Sequence, residues 1–200
     1  WSPYFFAYGA LALALPLWLG CAPIKPTRLT GKPLWRVTAA VAALGLCKAI
    51  EAELPLTPRI KWPNDLYLDG KKVSGLLAET VSCRGGLVLV LGIGLNVNTR
   101  DFPVDLPATS LLASLGPGTL LPEIDRNAMA ARVLASLAAE FGRVADDFAG
   151  AIAEVRERSW LLGRQIRARV EQNDVFGRVL DLSDEGHLLI EDVPGVGKTT

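Results

Sequence analysis

Lys61-Trp62-Pro63-Asn64-Asp65, then Lys71-Lys72-Val73-Ser74-Gly75-Leu76-Leu77-Ala78-Glu79, then Gly92-Ile93-Gly94-Leu95-Asn96, is the densest run of chemistry-bearing residues in the sequence. Its spacing decides the fold. Short apolar runs at 59–62, 66–68, 73–81 and 87–97 are separated by Pro63-Asn64-Asp65, Asp69-Gly70 and Arg84-Gly85-Gly86, which predicts strands joined by tight turns. Asp69 and Gly70 both tolerate the positive φ of a type I′ turn, so they predict a two-residue hairpin. In the first turn an amide, Asn64, stands beside a carboxylate, Asp65; one can hydrogen-bond a base or hydroxyl, the other can hold Mg2+. The hairpin returns with Lys72, a compact cation suited to a carboxylate or phosphate. Gly75 lacks a side chain and so lets a ligand approach the strand. Gly92 and Gly94 do the same one strand later, share a face by the period of two, and Asn96 continues it. Singly these features are a turn, a solvated hairpin and a bulge; in conjunction they predict an anionic ligand bound beside a nucleotide.

Upstream, Pro33 suits a first helical turn and opens an Ala- and Leu-rich stretch to Leu54, with Val37, Val41, Leu44 and Cys47 at helical spacing. Residues 1–24 carry no charge, a length that could span a bilayer. The leucines at 11, 13, 15, 17 and 19 alternate instead, which predicts a buried strand, with Pro16 pointing to an edge position. No basic segment or small-residue cleavage site marks a signal peptide, and the start at Trp1 leads us to expect sequence ahead of it. Downstream, 109–115 predicts a short helix and 122–160 long helical segments interrupted near Gly150. After Gly163 come alternating runs at 165–170, 175–182 and 187–191, a small β appendix. The sum is an α+β chain, a mixed and largely antiparallel sheet flanked by helices.

Composition narrows the function classes. Lys plus Arg number 21 and so do Asp plus Glu, with no basic block, so no electrostatic footprint for nucleic acid is visible. The three cysteines, Cys21, Cys47 and Cys83, are far apart, which argues against a disulfide framework or zinc knuckle and fits a reducing cytoplasm. With one histidine, His187, any catalytic triad would have to be built on that imidazole. Residues 194–200, Pro-Gly-Val-Gly-Lys-Thr-Thr, fail as a phosphate loop because Asp192 stands where its first glycine is needed.

The order and spacing of Lys-Trp-Pro-Asn-Asp, a hairpin, Lys-x-x-Gly-x-Leu-x-Glu and Gly-x-Gly-x-Asn closely resemble the central signature of biotin-protein ligases. The resemblance runs from about Gly9 into the β appendix. It implies a biotin–lipoate ligase fold, similar to class II synthetases, over residues 1–160 and a small SH3-like β domain over 161–200, whose completeness stays open. It implies ATP-dependent ligation of biotin, through biotinyl-5′-AMP, to a lysine of a carboxylase carrier domain, with ATP and Mg2+ required. By residue matching it places Lys72 at the biotin carboxylate and reacting phosphate; Gly75, Leu76, Gly92 and Gly94 along the biotin pocket; Asn64, Asp65 and Asn96 on the nucleotide side; and Asp65 at the metal. The family's Gly/Arg-rich loop, just ahead of Trp-x-Ser-Pro-x-Gly, is absent, and Trp1-Ser2-Pro3 resembles the remnant following it. These residues alone are therefore expected to be weakly active or inactive. The alternatives are a lipoate or octanoyl transferase of the same fold, which the tryptophan in the signature disfavours, and a non-catalytic fragment that only binds ligand or carrier. A repressor role, known among relatives with a helix-turn-helix, finds no support in these residues.

Overall fold

In the computed structural model the described residues are 11–16, 34–83, 86–144, 146–170 and 173–192. Five strands, β1 (Leu11–Pro16), β2 (Arg59–Lys61), β3 (Asp65–Leu68), β4 (Lys71–Cys83) and β5 (Gly86–Leu95), form one sheet in the order β1-β5-β4-β3-β2. Its strands pair antiparallel throughout. Short connections permit only that arrangement from β2 to β5, while β1 returns to the sheet edge beside β5. The mixed character expected of the sheet shrinks, among the described residues, to two isolated parallel bridges, Ile60 with Ser159 and Lys72 with Ala108. Asp69 and Gly70 take φ of 47° and 78°, as the predicted hairpin turn requires. Strand β1 lies at the sheet edge, where Pro16 is tolerated. The rest of the leucine alternation, Pro33, the Trp1-Ser2-Pro3 segment, Arg84-Gly85 and residues 193–200 lie outside the described residues. No helix of the described residues is long and apolar enough to cross a membrane.

Helix α1 (Leu34–Glu53) lies across β2, β3 and β4, and α3 (Arg126–Val144) and α4 (Phe148–Glu157) pack on its other side. That explains why residues 38–50 are buried almost without interruption rather than on the single stripe the spacing predicted. Gly45 marks the closest approach, since a Cβ there would stand 3.2 Å from Leu137 Cδ2. Cys47 is fully buried and burial pushes its thiol far up, so it is an inert core residue. The short helix α2 (Leu111–Ser114) is capped by Ser110, whose Oγ accepts from Ala113 N. The helix break expected near Gly150 falls between Val144 and Phe148. Asp147 is the N-cap of α4, and the Gly150 N–H donates to its Oδ1 at 2.9 Å, so this glycine starts a helix.

An ion-pair network joins the three helices. Glu140, buried, receives Lys48 Nζ and Arg143 Nη2, each at 2.8 Å, and Glu154 receives the same two cations at 2.8 and 2.6 Å. Burial raises the Glu154 carboxyl, but the hydrogen bonds and charges of Lys48 and Arg143 outweigh it and hold the group below the usual carboxylate range. A group depressed in this way stabilises the fold above its unfolded pKa and loses that contribution as pH falls through the folded value. In urea melts the stability difference between wild type and Glu154→Gln is therefore expected to be largest near neutrality and to close below about pH 4.

After α4, β6 (Gln165–Val170), β7 (Asn173–Leu182) and β8 (Leu188–Asp192) form a separate antiparallel sheet in that order. Strand β8 starts one residue later than expected, because the His187 N–H donates to Ser183 Oγ and closes the turn before it. A Cβ on Gly177 would collide with the Glu191 carbonyl across the ladder, so that glycine serves packing.

Candidate functional site: the open face of the larger sheet

The alternation along β4 and β5 separates two faces. Ser74, Leu76, Ala78, Leu91, Ile93 and Leu95 are buried, with α1 against β4, while Leu77 and Glu79 are exposed. Register then builds a row across the opposite face. Lys61 pairs with Asp65, Asp65 with Gly75, Gly75 with Gly94, and Gly94 with position 12. The adjacent row sets Leu77 against Gly92 and Gly92 against position 14. The predicted glycines thus face each other directly, leaving a strip of bare backbone with a charged pair at one end.

That pair is Lys72 and Asp65. A register shift between Leu66 and Tyr67 brings Lys72 opposite Tyr67, and Lys72 Nζ lies 2.7 Å from Asp65 Oδ1. Both side chains are partly shielded, at 32% and 20% exposure, enough to strengthen a local charge while leaving it reachable. The strand start is fixed by its backbone: Lys72 N donates to Pro107 O at 2.8 Å, and Thr109 N donates to Lys72 O at 2.9 Å. The segment 107–109 therefore runs alongside the lysine as a short parallel rail.

Three of the predicted residues act as braces. Asn64 Nδ2 donates to Leu76 O at 2.7 Å, and Leu76 N donates to Asn64 O at 2.8 Å, which clamps the signature turn onto β4. Leu76 sends its side chain to the core, so it meets the open face through backbone alone. Asn96 Nδ2 donates to Thr109 O at 3.0 Å and its N donates to Val73 O, folding the segment after β5 back toward Lys72.

Other residues join the site without having been predicted. Leu77 lies two positions beyond Gly75 and offers an apolar side chain beside Gly92; strand alternation alone would have identified it. Tyr67 receives Lys61 Nζ at 3.1 Å on its hydroxyl and stacks on Trp160 at 5.8 Å, and the Arg164 guanidinium lies 3.4 Å over the Trp160 ring. Trp160 and Arg164 come from the far end of the sequence, and no local pattern announced them. Among the described residues no group of three His, Cys, Asp or Glu gathers, and the Asp65 carboxylate is paired with Lys72.

Comparison with known proteins follows the same division. Residues 23–98 match the biotin/lipoate A/B protein ligase family, and residues 161–194 match the biotin protein ligase C-terminal domain. The biotin–[acetyl-CoA-carboxylase] ligase of Mycobacterium tuberculosis is 34% identical over 156 residues, covering 78% of this chain and 55% of the relative. Biotin protein ligase from Aquifex aeolicus superposes with a TM-score of 0.70 at 28% identity, covering 79% of this chain and 68% of that one. The structure of the same enzyme in complex with biotin and ATP gives 0.67 at 28% identity, covering 78% and 64%. The chain spans about half the length of the curated relatives it matches. With the ligase model and the C-terminal model matched in sequence order, and 79% of the chain superposing on such an enzyme, the chain belongs to the biotin protein ligase family.

Proposed function

We propose that this chain carries the ligand-binding core of an ATP-dependent ligase that activates biotin as biotinyl-5′-AMP and transfers it to a lysine of a carboxylase carrier domain. The observation that supports it best is the glycine strip ending at Lys72. A flat bicyclic ring fits against bare backbone and Leu77, and its carboxylate would then reach the lysine. In the first step a biotin carboxylate oxygen bonds to the α-phosphorus of ATP and the bond to the bridging oxygen breaks, releasing pyrophosphate. In the second the carrier lysine amine attacks the acyl carbon and AMP leaves. Both partners of the first step are anionic, so a fixed cation lowers its barrier by offsetting charge in a partly shielded site. Asp65 and Asn64 stand on the nucleotide side. Mg2+ would enter with the ATP phosphates, with Asp65 as a protein ligand once its pairing with Lys72 is exchanged for the substrate. Residues 1–160 are the catalytic part and 161–200 the C-terminal β domain in this reading. The compartment is the cytoplasm.

The test is adenylate formation from ATP with biotin or lipoate, with the Gly/Arg-rich loop of a relative placed ahead of residue 1 and without it. Biotin is expected to be converted and lipoate not, with turnover rising at least about tenfold when the loop supplies its donors to the adenylate. Preferential use of lipoate would move the chain to the other branch of the family. A biotinyl-adenylate held tightly by the 200 residues alone would remove the need for the loop.

A further inference from the structure

The smaller sheet touches the signature turn. Trp62, the second residue of that turn, sends its indole Nε1 to the carbonyl of Gly186 at 3.2 Å. Gly186 sits in the 183–187 turn between β7 and β8 with φ of 81°, a conformation that favours glycine, and its N–H donates to Ser183 O at 2.8 Å. That turn is in turn anchored to the helical layer. Arg156 on α4 donates from Nε and Nη2 to Leu182 O, at 2.9 and 2.5 Å, and its guanidinium pairs with Asp181 and Asp184 at 2.9 and 3.0 Å. A Cβ on Gly186 would lie 3.5 Å from Ile152 Cδ1, so the turn rests on the same helix. Beside it Ile60 N donates to Arg158 O and Trp160 N donates to Ile60 O, so the strand entering the signature turn is held by the segment leaving α4.

We infer that the β7–β8 turn is a positioning bracket for the nucleotide side of the site, with Trp62 and Arg156 as its positioning residues. The chain of contacts runs from Arg156 to the turn, from Gly186 to Trp62, and from Trp62 to Asn64 and Asp65, two and three residues further on. Neither residue stands on the open face with Lys72 and the glycines. The bracket therefore acts on one half of the site: loosening it lets Asn64 and Asp65 move while the ladder between β4 and β5 keeps the glycine strip in register. A carboxylic acid or phosphate held even slightly out of place loses most of its benefit in a preorganised site. This inference rests on the ligase reading for what the two halves bind.

Trp62→Phe keeps a ring and removes the donor; Arg156→Gln keeps length and removes the bidentate cation. Each is compared with wild type by calorimetric titration with biotin and with ATP, by thermal melting, and by amide hydrogen exchange at Asn64, Asp65 and Leu76, whose N–H donates to Asn64 O. The expected result is faster exchange at those amides, by about tenfold, together with ATP affinity at least about fivefold weaker, biotin affinity within about twofold, and a melting midpoint within a few degrees. Equal weakening of both ligands, or unchanged exchange, would overturn the inference; because the two substitutions sit on different elements, a folding failure in one leaves the other to decide. If the wild-type sequence with the Gly/Arg-rich loop placed ahead of it binds neither ligand, the ligase reading falls, and exchange at the three amides alone then decides whether the bracket exists.

Discussion

Lys72→Ala is expected to cut biotinyl-adenylate formation at least about tenfold, about 1.4 kcal/mol or more of lost transition-state stabilisation, in a protein that carries the Gly/Arg-rich loop ahead of these residues. The reason is the placement of its ammonium at the end of the glycine strip, 2.7 Å from the one carboxylate in the row. The fold is expected to tolerate the change. A partly exposed ion pair contributes about 1 kcal/mol or less, and the backbone bonds of residue 72 to Pro107 and Thr109 do not depend on its side chain. Lys71, its exposed neighbour, is the control: Lys71→Ala should leave the rate within about twofold, as surface substitutions usually do. Quenched-flow measurement of adenylate gives both values, and a Lys72→Ala rate equal to wild type would remove the lysine from the reaction.

Gly92→Val is expected to weaken biotin binding at least about tenfold without destabilising the protein, because it places a branched side chain where the ring has to lie. The packing of this glycine makes the prediction sharp. Among the described residues a Cβ there would meet Leu77 O and Cβ, at 3.8 and 3.9 Å, ordinary contact distances. The described residues around it therefore impose no steric need for glycine at 92, in contrast to Gly177, and valine suits a strand better than glycine. A melting midpoint equal to or above wild type, with biotin titration shifted to higher concentration, is the expected pair of results. A lower midpoint with unchanged biotin affinity would make Gly92 a packing residue.

The sequence was most legible where chemistry and local geometry coincide. Asp69-Gly70 predicts its own turn because the required φ values select those residue types, and the period of two puts Gly92 and Gly94 on one face whatever the rest of the chain does. What local patterns could not supply is pairing across distance. Gly75 opposite Gly94 is a matter of register between two strands, and the register shift at Leu66 and Tyr67, which brings Lys72 opposite Tyr67, has no signature in composition. For the same reason sequence could not show that Asn64, Leu76 and Asn96, read as ligand contacts, also hold the turn and the 107–109 rail in place through their polar groups. Trp160 and Gly186 lie about a hundred residues from the turn they support, beyond the reach of any window. The break before α4 was legible near Gly150 because glycine punctuates a helical pattern, while its cap, Asp147, carried no equally strong signal.

The central claim is that the open face of β4 and β5 receives the biotin half of the ligand, with Lys72 at its carboxylate end. Amide hydrogen exchange of the chain with and without a saturating non-hydrolysable biotinyl-adenylate analogue tests it most directly. Slowed exchange is predicted in 72–77 and 91–96 and at Asn64 and Asp65, with β6 to β8 unchanged apart from the 183–187 turn. Saturable binding that protects the helical layer or the smaller sheet instead, and leaves 72–77 and 91–96 exchanging as in the free chain, would contradict it.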